Sequence, residues 1–267
     1  MAKSAQILAH ATILCALAAV ITGARLTSAN ALEGLDIALW KNLHRGLSTI
    51  AAAGGIAVAF LVTGKLRVWL LSSVLLAALP GGMLEAKAVP QVAGVLHAVA
   101  ASLLVSVTAV AALQSGRDGS ESIAPVIDEG SPSLAALAKA AWISLLVQTL
   151  LGALYRHQIV GLVPHVGGAM VVIGIIMYAG IAAFSMPHAP AAVKRPAMTL
   201  LILTGLQMLL GLAAYLYRLE VREQATGHAA MLIFTVIHVA VGALTTACSA
   251  LMGIQISRYV RPAVVAV

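Results

Sequence analysis

Four of the eight histidines in this 267-residue chain, His44, His97, His165 and His238, stand inside long apolar runs. Those runs are the second, fourth, sixth and eighth of the chain. If each run crosses a bilayer, the even-numbered ones all travel in the same direction. Each histidine lies in the starting half of its run, so all four project into one leaflet. An ionisable group placed in hydrocarbon is costly and normally faces a partner or a cofactor. Two imidazoles on facing helices can supply both axial ligands of a haem iron. The porphyrin then fits between the helices of a four-helix bundle, where its apolar ring is buried. The order along the chain predicts two such sites, His44 with His97 and His165 with His238, each ligating the iron of a b-type haem. Haem propionates need cations near the water boundary. Arg45, next to His44, is well placed for this, with Arg156 and Lys41 as further candidates. The alternative is a set of interhelical hydrogen bonds with no cofactor. Zinc is disfavoured, because no cysteine or carboxylate cluster accompanies the histidines. His10, His157, His188 and His228 read as solvated or interfacial residues.

The elements that must position these histidines follow from composition. The chain is 61% hydrophobic and 9% charged, with a mean hydropathy of +1.01. A soluble domain is roughly 45–50% apolar and about 25% charged. The balance excludes a soluble globular enzyme, a disordered chain and a secreted disulfide scaffold. A spanning helix needs about 20 mostly apolar residues, and eight such segments are present, near 6–26, 44–64, 68–86, 91–113, 136–155, 165–185, 198–217 and 229–256. The net charge of +7 comes from residues at the ends of these runs, where anchoring and topology account for them. With no basic stripe interleaved with aromatics, nucleic acid is not an expected partner; membrane lipid is. Cys15 and Cys248 lie in apolar runs without metal or haem-attachment spacing. The first segment follows Lys3, and Ala29-Asn30-Ala31 resembles a signal-peptidase site; we read the segment as the first span. The methionines read as packing, and Tyr155, Tyr215, Tyr217 and Trp69 as an aromatic belt at the span ends.

Glycine pairs at Gly54-Gly55, Gly81-Gly82 and Gly167-Gly168 allow close helix approach, and Pro80 is expected to kink the third span. Residues 27–42 are too polar to span. Asn30 and Glu33 resemble a capping box, and Leu32, Leu35 and Leu39 follow at helical spacing. This segment is expected to form a short interfacial helix with Trp40 at headgroup level, or else an irregular loop. With the N-terminus inside, nine basic residues fall on the inner side (Lys3, Lys65, Arg67, Arg117, Lys139, Lys194, Arg195, Arg258, Arg261) and seven on the outer (Arg25, Lys41, Arg45, Lys87, Arg156, Arg218, Arg222). That balance favours both termini in the cytoplasm, with the histidines in the outer leaflet.

The polar stretch 114–135 divides the chain into residues 1–113 and 136–267, four spans each. VLHAVAASLL from Val95 aligns with VIHVAVGALT from Val236, superposing His97 on His238. The second and sixth spans open on Leu43-His44-Arg45-Gly46 and Pro164-His165-Val166-Gly167. The first and fifth end in ITGAR and LGALYR. The shared order points to a duplicated four-helix unit. The expected fold is therefore an all-α integral membrane protein, with eight transmembrane helices as two pseudo-repeated four-helix bundles.

These features together resemble the haem A synthase family. The strings that carry the likeness are His44-Arg45, LLVQTLLGALYRH at 145–157, PHVGGAMVV at 164–172, LQMLLGLAAYL at 206–216, and the His97 and His238 spans. The resemblance covers nearly the whole chain. It implies a membrane enzyme that oxidises a methyl group of haem O to the formyl group of haem A for terminal oxidases. One half would hold the haem being processed and the other a b-type haem that passes electrons. By position His44 and His97 match the first-half ligands, and His165 and His238 the second-half ligands. Two features depart from the family. Three residues before the first histidine the family places a glutamate needed for the reaction; here that position is Lys41, and the nearest upstream acids are Asp36 and Glu33. A cysteine pair common in bacterial members is absent from residues 27–42. A competing expectation is a non-catalytic dihaem b-type cytochrome, an electron-transfer subunit of a respiratory complex, which needs the histidines and not the glutamate. Respiratory-complex or oxidase-assembly proteins are the partners these readings imply. A transporter or assembly factor without haem is the third possibility, though no buried acidic relay is visible.

Overall fold

The computed structural model describes residues 2–28, 37–85, 91–116, 124–224 and 228–263. It contains eight helices: α1 (Ala2–Ser28), α2 (Ile37–Leu61), α3 (Gly64–Glu85), α4 (Gln91–Ser115), α5 (Leu134–Arg156), α6 (Leu162–Ser185), α7 (Ala191–Gln224) and α8 (His228–Tyr259). Each is long and apolar enough to cross a membrane. The protein is an all-α, multi-pass membrane protein. Low charge and Ala/Leu/Val/Gly-rich runs leave the backbone no water to bond to, so each segment satisfies its own N–H and C=O groups as a helix.

Neighbour relations close each set of four helices into a ring. In the first set α1 packs on α2, α2 on α3, α3 on α4 and α4 back on α1; in the second the same cycle runs α5, α6, α7, α8. The rings meet where α4 packs on α8, flanked by α1 on α8 and α4 on α5. Burial follows from this: 56% of the α4 span is covered inside the protein, against 22% for α2, α3 and α7, which face outward. A core of Leu134, Leu145, Ile176, Leu200, Met252 and Ile256 fills the second ring. A smaller one at Ala9, Val58, Leu70 and Ala111 fills the first. Ala16, Ala51, Val105 and Ala247 join α1, α2 and α4 to α8 across the junction. Small side chains let these backbones approach. Gly55 is one such point: a Cβ there would fall 2.8 Å from Val74 and 3.3 Å from Leu104. Fully buried hydroxyls in the same helices bond their own ladders, as Thr108 does to the Leu104 carbonyl at 2.7 Å and Thr245 to that of Val241 at 2.7 Å.

Several sequence expectations change in detail. No separate helix precedes the second span at Leu39 and Trp40; both belong to the opening turns of α2, which places His44 two turns inside the helix rather than at its mouth. The capping-box residues Asn30 and Glu33 lie outside the described residues. Helix α7 is 34 residues long, several turns longer than its apolar run, because its polar ends continue the helix. The polar linker contributes a short strand, β1 (Val126–Asp128), that pairs in parallel with β2 (Val260–Pro262) after α8.

Asp128 anchors this corner. It is 7% exposed, and its carboxylate accepts the main-chain N–H groups of Gly130 at 3.0 Å and Leu134 at 2.5 Å. The second bond satisfies a donor at the start of α5, where Ser133 caps Ala136 in the usual way. Removing a side-chain cap costs about 0.5–2 kcal/mol. Asp128→Ala should therefore lower the thermal midpoint in detergent by a few degrees, read by circular dichroism, with no change in helix content at low temperature.

Candidate functional site

The four intramembrane histidines come together in the pairs that the chain order predicts. The ring centres of His44 on α2 and His97 on α4 are 5.8 Å apart, with planes at 81°. Those of His165 on α6 and His238 on α8 are 6.3 Å apart, with planes at 88°. Each of the four is half-buried.

One local device positions all four. Each imidazole lies against a glycine on the preceding odd-numbered helix. A Cβ built on Gly23, Gly81, Gly152 or Gly211 would meet Cε1 of His44, His97, His165 or His238 at 2.9, 3.2, 3.0 and 2.9 Å respectively. Any larger residue there would push the ring out. The glycine also bares the carbonyl one turn earlier, because residues i and i+4 share a helix face and a carbonyl oxygen has a second lone pair beyond its ladder bond. Nδ1 of His44 bonds the Ala19 carbonyl at 3.0 Å, with the Thr22 hydroxyl at 3.2 Å. Nδ1 of His97 bonds the Ala77 carbonyl at 2.8 Å, and that of His238 the Gln207 carbonyl at 3.1 Å. In each case the acceptor is four residues before the notch glycine. A proton fixed on Nδ1 leaves Nε2 with the lone pair, the form in which an imidazole ligates a metal.

The second pair carries additional polar groups. Position four before the glycine is Gln148 on α5 and Gln207 on α7. The Gln148 amide nitrogen lies 3.0 Å from Nδ1 of His165 and 2.9 Å from its main-chain oxygen. The Gln207 amide nitrogen lies 3.3 Å from Nε2 of His238. Their side-chain oxygens, both buried, have no hydrogen-bond partner among the described residues.

The residues fit a haem better than a bare metal ion. Among the described residues no group of three or more histidine, cysteine or acidic side chains could hold a metal. A pair of imidazoles supplies too few ligands for zinc, which takes about four. It suffices for iron that brings four porphyrin nitrogens of its own. A metal–nitrogen bond of about 2 Å on each side, plus about 1 Å from nitrogen to ring centre, sets the centroids roughly 6 Å apart. Both pairs lie at that spacing, and both have a carbonyl-bonded Nδ1 on at least one partner.

The cationic candidates divide. Arg45 is exposed beside His44. Lys41 is exposed on α2, one turn before His44. Arg156 is turned elsewhere. Its guanidinium donates to the Thr27 hydroxyl at 2.8 Å, the Ser28 hydroxyl at 2.7 Å and the Ala24 carbonyl, so it caps the C-terminal end of α1, where a cation meets the negative pole of the helix. Sequence reading missed two other cations. Arg25, two residues beyond Gly23, lies 4.0 Å over the Trp40 ring. Arg218 lies 5.0 Å over the Tyr155 ring, which itself stacks on His165 at 6.2 Å. Tyr155 is thus part of the second pair's wall rather than only a belt residue. The notch glycines and the two glutamines were also missed, although Gln148-Thr-Leu-Leu-Gly152 and Gln207-Met-Leu-Leu-Gly211 repeat one spacing.

Of the other histidines, His10 is exposed and bonds the Gln6 carbonyl at 2.8 Å. His157 departs from the expected solvated loop residue. It ends α5 half-buried against Gly94 on α4, three residues before His97.

This is a polytopic membrane protein with two paired-imidazole sites, one in each ring of helices. Compared with known proteins, the chain matches no family model, and no curated protein matches it.

Burial, then the Arg156 charge and His97, lower the pKa of His157. A histidine whose folded pKa is depressed contributes stability above its ordinary pKa of about 6.5, lost as pH falls below it. The thermal midpoint of the wild type should drop more steeply than that of His157→Gln between about pH 7.5 and 5.5; parallel curves would remove His157 from the packing between the rings.

Proposed function

We propose that this protein binds b-type haem at two bis-histidine sites, His44 with His97 and His165 with His238, and that it is a membrane oxidoreductase of the haem A synthase type. The observation that carries the reading is the pairing itself. Two imidazoles lie with ring centres 5.8 Å apart in one ring of helices and 6.3 Å apart in the other, each seated against a glycine of the preceding helix. Such a pair lacks enough ligands for a bare cation and has the two that a haem iron requires. The rings of four helices, the matching notches and the repeated strings favour a duplicated unit, 1–113 and 136–267. An inner (cytoplasmic) membrane with both termini in the cytoplasm agrees with the balance of basic residues.

In this reading the histidines hold iron, and Arg45, Arg25 and Arg218 are the cations within reach of carboxylates at the boundary. Arg156 serves the same ligand only indirectly, by fixing α5 against α1. Bound haem supplies one-electron redox chemistry. The protein orients it and excludes water from its faces. In the synthase reading haem O is the substrate and haem A the product, and oxidase-assembly proteins are the partners.

A second reading, a dihaem b-type cytochrome serving as an electron-transfer subunit of a respiratory complex, is favoured by Lys41. The synthase-like reaction calls for a carboxylate one turn before the first histidine as proton acceptor, and an ammonium there reverses the charge and cannot play that part.

A reduced-minus-oxidised spectrum of purified protein should show a low-spin b-type signal, and a featureless spectrum rejects haem ligation. His165→Ala and His238→Ala should each remove one of two haems. Extraction and mass analysis after coexpression with a haem O source separates the two readings: haem A in the extract selects the synthase, haem B alone the electron carrier. Lys41→Glu should raise haem A output if the lysine is what limits the chemistry.

A further inference from the structure

Three of the four paired imidazoles have Nδ1 against a main-chain carbonyl. His165 is the exception. Its Nδ1 meets the amide nitrogen of Gln148 at 3.0 Å. An amide nitrogen only donates, so in this arrangement Nδ1 accepts and the proton sits on Nε2. That is the wrong form for binding a metal through Nε2. Gln148 also carries the correction. Its side-chain oxygen is buried with no partner among the described residues, and half a turn of the amide would present that oxygen to Nδ1. The rotation exchanges the bond to the His165 carbonyl for one from Nδ1–H, and it sets the amide oxygen beside that carbonyl oxygen, two acceptors together, so the side chain must also swing away from the carbonyl. The amide has a seat of its own, because Gly168, three residues beyond His165, leaves the space that Gln148 Oε1 fills. In the first ring the corresponding positions are Ala19 and Ala77, which offer only their carbonyls.

We propose that Gln148 is a positioning residue for the second site, a two-state amide whose orientation decides which nitrogen of His165 carries the proton. The inference rests on the haem reading for its consequence and not for its geometry. With the amide nitrogen toward the ring, His165 is held in the form that does not ligate. With the oxygen toward the ring, Nε2 keeps its lone pair and Nδ1–H has an acceptor. The strength of that acceptor tunes the basicity of the ligand and hence the potential of the iron. The second site thereby differs from the first, where a main-chain carbonyl stands at Nδ1 of both imidazoles.

Two variants of nearly equal size test this in the full chain, in detergent. Gln148→Glu offers oxygen alone; Gln148→Met offers no hydrogen bond. Ring-¹⁵N spectra of the haem-free protein should show His165 with its proton on Nε2 in the wild type and on Nδ1 in Gln148→Glu; identical spectra overturn the proposal. With haem b added, Gln148→Glu should lower the potential of one haem, by a roughly tenfold change in the oxidised-to-reduced ratio, about 59 mV for one electron. Gln148→Met should raise the same one, and the other haem should not move. Both haems bound with unchanged potentials in both variants also overturn it. If the wild type binds no haem, the haem reading falls, while the ¹⁵N comparison still decides the role of the amide.

Discussion

An imidazole cannot sit in the apolar interior of a helical membrane protein without polar partners, and a glycine notch answers that constraint at all four paired histidines, with a main-chain carbonyl at Nδ1 of three of them and the Gln148 side chain at Nδ1 of His165. A glycine on the neighbouring helix admits the ring, and the same absence of a side chain uncovers a carbonyl one turn away to take the Nδ1 proton. Neither half of the device works alone. Without the glycine the ring clashes; without the carbonyl a polar nitrogen is buried unpaired, a cost of about 1–3 kcal/mol. The bond also fixes ring orientation. Helix pairing follows, because each odd helix must lie beside the even helix that carries its histidine: α1 beside α2, α3 beside α4, α5 beside α6, α7 beside α8.

This explains which parts of the structure were legible in the sequence. The eight spans were, because hydropathy reports bilayer crossing directly. The histidine pairing was too, because parity of spans puts even helices in one direction and repeat order names the partners. The notch glycines were not. In apolar runs with 23 glycines in the chain, nothing local marks Gly23 as different from Gly205, which meets nothing within 4 Å. The doublet Gly81-Gly82 illustrates the point, since only Gly81 receives a histidine. The start of α2 was misplaced because Trp40, Lys41 and Asn42 lower hydropathy without breaking a helix; charge at a span's mouth limits membrane depth, not helical geometry.

Arg156 shows the same limit from the other side. Its position beside the boundary made it a natural anion partner, yet a guanidinium has five donors, and the carbonyl end of α1 with two hydroxyls takes at least three contacts from it. Sequence places a charge; it does not say which unsatisfied acceptors are nearest. The cations left to meet an acidic group instead lie over aromatic rings, Arg25 on Trp40 and Arg218 on Tyr155, each within a few residues or one ring of a paired histidine.

The end of α5 then acquires a role that neither ring has by itself. Three consecutive residues reach three different places: Tyr155 stacks on His165 in the second ring, Arg156 clasps the end of α1 in the first, and His157 packs into α4 at Gly94, one turn before His97. The two imidazole pairs are thereby linked through a single turn of helix as well as through the broad contact of α4, which carries His97, with α8, which carries His238. A shift of α5 along its axis would move the wall of one pair and the flank of the other together. The two rings of helices are alike in their cycle of neighbours and in their glycine notches, and a feature outside that likeness is what makes them unequal. This turn, with Gln148 two turns earlier on the same helix, puts that asymmetry in α5.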